Sequence, residues 1–137
     1  DIGNLPFRNN MFDYVFALGS VEHTENPIKA IREAYKVARS GGVIYITTPN
    51  RYYFLFRLWR AIKRVLGRWR LGKEDMFTPT ELKHMIETVG NVKILSYGTF
   101  YWNLRFVEKL LFGLLRFFLG NRVKKFAPMS YIIAKKI

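Results

Sequence analysis

At 137 residues, half of them apolar, the chain is long enough to bury one core and too apolar to be disordered. It contains no Cys, which excludes disulfides, thiolate metal sites and cysteine nucleophiles and fits a reducing cytosolic compartment. The net charge of +13 is concentrated: residues 1–50 balance 5 basic against 5 acidic groups, so of 23 basic and 10 acidic groups in all, residues 51–137 hold 18 and 5. That asymmetry calls for an anionic partner for the second part, a membrane surface or a nucleic acid.

No charged-apolar-small signal sequence opens the chain, and a strand pattern follows within a few residues of Asp1, so the numbering reads as beginning inside a longer protein. Phe12 to Leu18 is a nearly continuous apolar run, the pattern of a strand buried on both faces of a parallel sheet, and it ends at Gly19-Ser20. Asn26 offers an N-cap with Pro27 in the first helical position. Ile28, Ile31, Tyr35 and Ala38 then follow at helical spacing, and Gly41-Gly42 is the predicted stop. Val43 to Thr48 is a second buried-type strand, broken by Pro49. Strand, helix and strand with short joins make a βαβ crossover and so a parallel sheet.

Residues 54–70 place Phe54, Leu55, Leu58, Trp59, Ile62, Val65, Leu66 and Trp69 on one half of a helix and Arg57, Arg60, Lys63, Arg64, Arg68 and Arg70 on the other. A basic amphipathic helix with Trp has the composition of an interfacial membrane segment. Trp59, Arg60, Arg64, Arg68 and Trp69 are the candidate membrane or acceptor contacts. The alternative is an ordinary surface helix whose apolar half covers the core. Nucleic acid is the lesser partner, because binding it favours basic residues interleaved with exposed aromatics rather than segregated from them.

Thr78-Pro79-Thr80-Glu81 is a capping box opening a helix with Leu82, Met85, Ile86 and Val89 on its apolar face and Gly90 at its end. Val92 to Tyr97 and Met129 to Ile133 read as two late strands. Between them Trp102 to Leu119 is apolar around most of its circumference, with Arg105, Lys109 and Arg116 in a narrow stripe. It has too few unbroken apolar residues to span a bilayer. It lies in an interface or on the first basic helix, or else is buried in a cap or an oligomer contact. The expected units are therefore 1–50 as core, 51–77 as a basic amphipathic insertion, 78–101 as core helix and strand, 102–127 as an apolar-basic insertion, and 128–137 as the final strand.

The ordered set Asp1-Ile2-Gly3-Asn4-Leu5-Pro6-Phe7, Phe12-Asp13-Tyr14-Val15, Val21-Glu22-His23, Asn26-Pro27 with Glu33, Gly41-Gly42 and Thr48-Pro49-Asn50 resembles the second half of the small-molecule class I S-adenosylmethionine-dependent methyltransferases. The resemblance is dense over residues 1–50 and looser over 74–90 and the last two strands. It departs at Ala38-Arg39-Ser40, where the family has Leu-x-Pro. It implies an α/β fold: a partial, C-terminal half of a Rossmann-like methyltransferase sheet, with helical cap insertions. The family's Gly-rich turn and its ribose-binding carboxylate belong to the other half and have no counterpart in this sequence. By resemblance Asp1 sits beside the adenine amino group, Ile2 packs on the ring, and Leu18 and Gly19 border the methionine portion. The alternative for Asp1 is a loop carboxylate.

Methyl transfer is an in-line displacement, so the protein has chiefly to align the reactants and to supply one base. His23 is the candidate, because it lies just past a strand at the carboxyl edge, where open α/β sheets bind ligands, and imidazole takes protons near neutral pH. Glu22 orients it or acts in its place. Alternatively both residues tie down the loop before the helix. His84 reads as a surface residue, and two separated histidines without Cys give no metal site. Both insertions leave from the carboxyl edge in this fold, where they would form a lid. The expected function is methylation of a lipid-like or long-chain acceptor, an isoprenoid quinone precursor or a lipid-linked sugar, by a cytoplasmic protein peripheral to the membrane. A soluble small-molecule enzyme with an apolar cap, an RNA methyltransferase and a non-catalytic partner-binding remnant are the alternatives.

Overall fold

The computed structural model describes residues 2–68, 72, 74–101, 113, 114, 116, 117 and 119–137. Asp1, Trp69, Arg70 and most of 102–119 lie outside these residues. Four strands form one mixed sheet. In chain order the elements are β1 (Phe12–Leu18), α1 (Pro27–Val37), β2 (Ala38–Pro49), α2 (Phe54–Val65), α3 (Pro79–Val89), β3 (Val92–Phe100) and β4 (Met129–Lys136). The spatial order is β1-β2-β4-β3, with β1 parallel to β2 and β4 antiparallel to both of its neighbours. The parallel pair follows from the helix between its strands, which returns the chain to the end where β1 began.

Local chemistry fixes the helix starts as the sequence predicts. Asn26 Oδ1 accepts from Lys29 N–H at 3.0 Å ahead of Pro27. Thr78 and Glu81 bond reciprocally as a capping box, Glu81 N–H to Thr78 Oγ1 at 3.2 Å and Thr78 N–H to Glu81 Oε2 at 2.8 Å. The two helices lie against one another and cover one face of the sheet. Ile31, Ala34, Leu82 and Ile86 pack there with Ala17, Ile44, Ile46 and Ile132. Each fully buried Leu or Ile contributes about 1.5–3 kcal/mol. At the opposite end of the strands Lys136 Nζ donates to Asn10 Oδ1, Tyr35 O and Ala38 O, each at 2.9 Å, and ties the last strand to the first unit.

Three local expectations are corrected. β1 is not buried on both faces: Ala17 is buried under the helices, whereas Tyr14, Phe16 and Leu18 are more than half exposed on the other face. No described element covers that face, across which Phe16, Tyr45, Tyr131 and Phe100 form a row of edge-on rings with centroids 5.9–6.4 Å apart. The helix after Pro27 ends at Val37 rather than at the glycine pair. Ala38 pairs with Phe12, Arg39 meets Asp13, and the strand continues through Gly41 and Gly42 with a shift of register. The glycines make a bulge rather than a helix stop, because Gly41 has φ +79° and a Cβ on Gly42 would stand 2.9 Å from Arg39 O and 3.0 Å from Phe12 O. β2 thus begins at Ala38 rather than Val43, and Pro49 ends it as expected, paired with Met129.

α2 also differs from the surface-helix alternative. It stops at Val65, before Gly67 in the left-handed region at φ +62°, and none of its residues is buried. Leu58, Ile62, Val65 and Leu66 are half or more exposed.

Candidate functional site at the carboxyl edge

β1 ends at the edge where its parallel neighbour β2 also ends. Gly19 turns the chain there at φ +58°, and its N–H donates to Thr47 O at 3.1 Å. The close turn brings Glu22 back over it, with Oε1 3.6 Å from where a Cβ on Gly19 would stand. Val21–His23 form a single 3-10 turn closed by Thr24 Oγ1, which donates to Val21 O at 2.8 Å. Val21 and Glu22 point inward and are buried, while His23 lines a cavity of about 550 Å³ with Ile2, Ser20, Thr24, Asn26 and Lys29.

Of the residues predicted from sequence, Ile2 and His23 therefore meet in one cavity. Glu22 is the adjoining buried group and Gly19 is the turn beneath it. Leu18 is 53% exposed at the strand end, and Asp1 lies outside the described residues. An adenine ring needs an apolar surface with polar groups at its rim, and Ile2 bordered by Gly3 and Ser20 fits that requirement. Trp59, Arg60, Arg64 and Arg68 stand on or just after α2, away from the His23 cavity lining. Trp59 stacks on Phe56 at 5.5 Å, with Lys63 Nζ 5.6 Å from its ring.

What lies across this edge has no local signal in the chain. Asp75 N–H donates to Glu22 O at 2.9 Å, Phe77 N–H to Pro49 O at 3.1 Å, and Ser130 Oγ to Phe77 O at 2.8 Å, so residues 75–77 cross the ends of β1, β2 and β4. Arg51 Nε donates to Met76 O at 3.0 Å and Arg60 Nη1 to Glu74 O at 2.7 Å. Burial pushes the Glu22 carboxyl above its usual range. Its own backbone N–H and His23 oppose the rise, and Glu74 adds to it. Glu22 Oε2, Glu74 Oε2 and Thr48 Oγ1 are buried without a hydrogen-bond partner among the described residues. Asn50, fully buried, donates from Nδ2 to Lys125 O at 2.8 Å and Ala127 O at 2.7 Å, and fastens the chain before β4 to the end of β2. The Thr48-Pro49-Asn50 motif was visible in sequence, but these partners are remote along the chain and carry no local signal.

This sheet and edge make the chain part of a Rossmann-like methyltransferase fold. The chain resembles the class I S-adenosylmethionine-dependent methyltransferases, and its residues 1–46 match the family described as a methyltransferase domain. It is similar to the demethylmenaquinone methyltransferase of Protochlamydia amoebophila, at 22% identity over 72% of this chain and 48% of that protein. It is also similar to 2-methyl-6-phytyl-1,4-hydroquinone methyltransferase 2, chloroplastic, of Oryza sativa, at 41% identity over 36% of this chain and 14% of that protein. A solved S-adenosylmethionine-dependent methyltransferase of Thermotoga maritima has the same fold, with TM-score 0.66 and 18% identity over 99% of this chain and 61% of that chain. The chain spans about half the length of the curated relatives that it matches over most of its own.

Proposed function

We propose that this chain is the C-terminal half of a methyltransferase core that transfers a methyl group from S-adenosylmethionine to a small, lipid-like acceptor at the cytoplasmic face of a membrane. The observation that carries the reading is the meeting of Ile2 and His23 in one cavity at the carboxyl edge. S-adenosylmethionine supplies an electrophilic methyl carbon on a sulfonium leaving group. Asp1 and Ile2 would hold the adenine, with Leu18 and Gly19 beside the methionine portion. The wide exposed face of β1 supports a preceding half that covers it.

In the acceptor complex the His23 imidazole would take up the proton that the acceptor's nucleophilic atom loses on methylation. Glu22 positions His23 from the adjoining turn. Its buried carboxyl stays protonated further up the pH scale than a surface glutamate. Residues 75–77 keep water from the edge, which favours an in-line displacement.

Two features support the lipid-like acceptor: the uncovered apolar side of α2, which leaves from this same edge, and the names of the two quinone-type relatives. No helix among the described residues is long and apolar enough to cross a membrane, so the reading is of a surface helix. The test is transfer of labelled methyl from S-adenosylmethionine by the complete protein to a prenylated hydroquinone and to the same ring without its tail. The tail is expected to raise kcat/KM by about 10-fold or more, since each buried methylene contributes about 0.8 kcal/mol. Equal use of both acceptors would overturn the lipid-like reading while leaving methyl transfer intact.

A further inference from the structure

We infer a phosphoryl-anion site in the cleft of about 490 Å³ between the start of α2 and the segment 74–77, with Arg57 as its principal ligand and Arg51 and Arg60 at its sides. The three guanidinium groups line one cleft, yet their charges are compensated unequally. Arg51 is paired with Glu81 and also donates to Met76 O. Arg60 donates to the Glu74 carbonyl, a neutral acceptor that satisfies a donor without cancelling its charge. The Arg57 side chain has no hydrogen bond or ion pair among the described residues.

The cleft also contains Glu74 and Asp75, and their positions decide its sign. Glu74 Oε2 is buried and its carboxylate is close enough to Glu22 to raise the pKa of that group, so it acts on the core side of the segment. Asp75 is the carboxylate that remains against three arginines, and it is itself engaged. The cleft is left with excess positive charge and one open guanidinium. Phe54–Val65 contains no acid, so Arg57 and Arg60, one turn apart, repel each other with nothing on the helix between them. A bound anion offsets that repulsion. A planar five-donor fork matches phosphoryl oxygens in pairs, which a single ammonium does not.

The position of the cleft gives the anion a role. Asp75, which lines the cleft, donates its N–H to Glu22 O, and Glu22 adjoins His23 of the cavity, so the two are linked through that bond at one edge of the sheet. A phosphate or pyrophosphate ester held by Arg57 would anchor the head of an acceptor whose reactive group lies at His23. The anion site itself does not depend on the methyltransferase reading; only the statement that its anion belongs to the acceptor rests on that reading.

The experiment is titration of the full 137-residue chain with inorganic pyrophosphate, followed by calorimetry and by backbone amide shifts at residues 74–77. Arg57→Gln is expected to weaken binding by about 10-fold or more, the loss of a charge-assisted pair, and Arg32→Gln, exposed on α1 and outside the cleft, to leave it within about twofold. No saturable binding, or equal losses in the two variants, would overturn the site, since either result means diffuse attraction to a basic surface. A short-chain prenyl pyrophosphate then distinguishes the sources. Tighter binding than that of inorganic pyrophosphate assigns the site to a lipid-linked anion, whereas equal binding assigns it to a soluble phosphorylated molecule.

Discussion

The N–H of Asp75 donates to the carbonyl of Glu22 at 2.9 Å, and that bond sets Glu74 near the buried Glu22 carboxyl at the end of β1. Glu22 Oε2 has no hydrogen-bond partner among the described residues, and the ionisation of Glu22 is coupled to the stability of the edge. Burial raises the Glu22 pKa first of all, with Glu74 adding to the rise and the Glu22 backbone N–H and His23 opposing it. A raised pKa means that the folded state binds the proton more tightly than the unfolded state. The resulting stabilisation is complete below the ordinary value of 4.5 and is lost as pH rises through the folded value. Glu22→Gln is therefore expected to raise Tm at pH 8, by about 1 kcal/mol or a few degrees, with the gain shrinking toward pH 4. Thermal unfolding of both proteins across that range measures it. A gain that does not vary with pH would mean that the Glu22 carboxyl has the same pKa in the folded and unfolded states.

His23 makes the sharpest catalytic prediction. In the complete enzyme His23→Ala is expected to lower kcat by about 100-fold or more with cofactor affinity nearly unchanged, as for loss of a general base. Unchanged turnover would reduce His23 to a structural part of the cavity wall.

Asn50 supports the edge from below. Asn50→Ala leaves the carbonyls of Lys125 and Ala127 without their buried donor, which costs about 1–3 kcal/mol for each group so stranded. Chemical denaturation should show a lower midpoint with unchanged slope. Asn50→Asp is expected to be at least as damaging, because it replaces the donating amide with an acceptor facing two acceptors.

Gly90 is a packing glycine. A Cβ there would stand 2.3 Å from Tyr35 Cζ, well inside contact, although its φ of 168° is ordinary extended backbone. Gly90→Ala is expected to destabilise by about 1–3 kcal/mol through overpacking. In a Tyr35→Ala background the same change should be close to neutral. A double-mutant cycle measures that coupling directly, and additive effects would show that the ring moves aside freely.

These tests divide along what the sequence could disclose. Signals contained within one turn were legible: Asn26 and Thr78 cap the helices that their neighbours predicted, and the apolar runs 12–18 and 43–48 are strands. The glycine pair was ambiguous because a residue free to take positive φ serves a helix stop and a bulge equally. Only the pairing of Ala38 with Phe12 decides between them. The site divided in the same way. His23 and Ile2 could be brought together by resemblance, whereas Glu74 reaches the neighbourhood of Glu22 only through the tertiary path of the segment 74–77. Helical periodicity put Arg60 on the basic half of α2, but it could not reveal that this half faces a carbonyl of the same protein.

That last point sharpens the membrane prediction. Arg60 is bonded to Glu74 O, while Leu58, Ile62 and Val65 are 58%, 50% and 87% exposed, so much of the apolar side of α2 is open, next to the exposed Arg64. If this helix lies at an interface, apolar insertion and attraction to anionic lipid act together, each basic group near the surface contributing about 1 kcal/mol, attenuated by salt. The chain should sediment with phosphatidylserine-containing vesicles at low salt and only weakly with phosphatidylcholine alone. Ile62→Asp with Val65→Asp should abolish both kinds of binding, because the inserted surface is lost. Arg64→Glu with Arg68→Glu should abolish only the anionic preference. An RNA-binding helix gives the reverse pattern: the charge reversal would abolish RNA binding, and vesicles would not compete. Failure of the unaltered chain to sediment with anionic vesicles at low salt would leave the apolar side of α2 as a surface for protein and would remove the main support for a lipid-like acceptor.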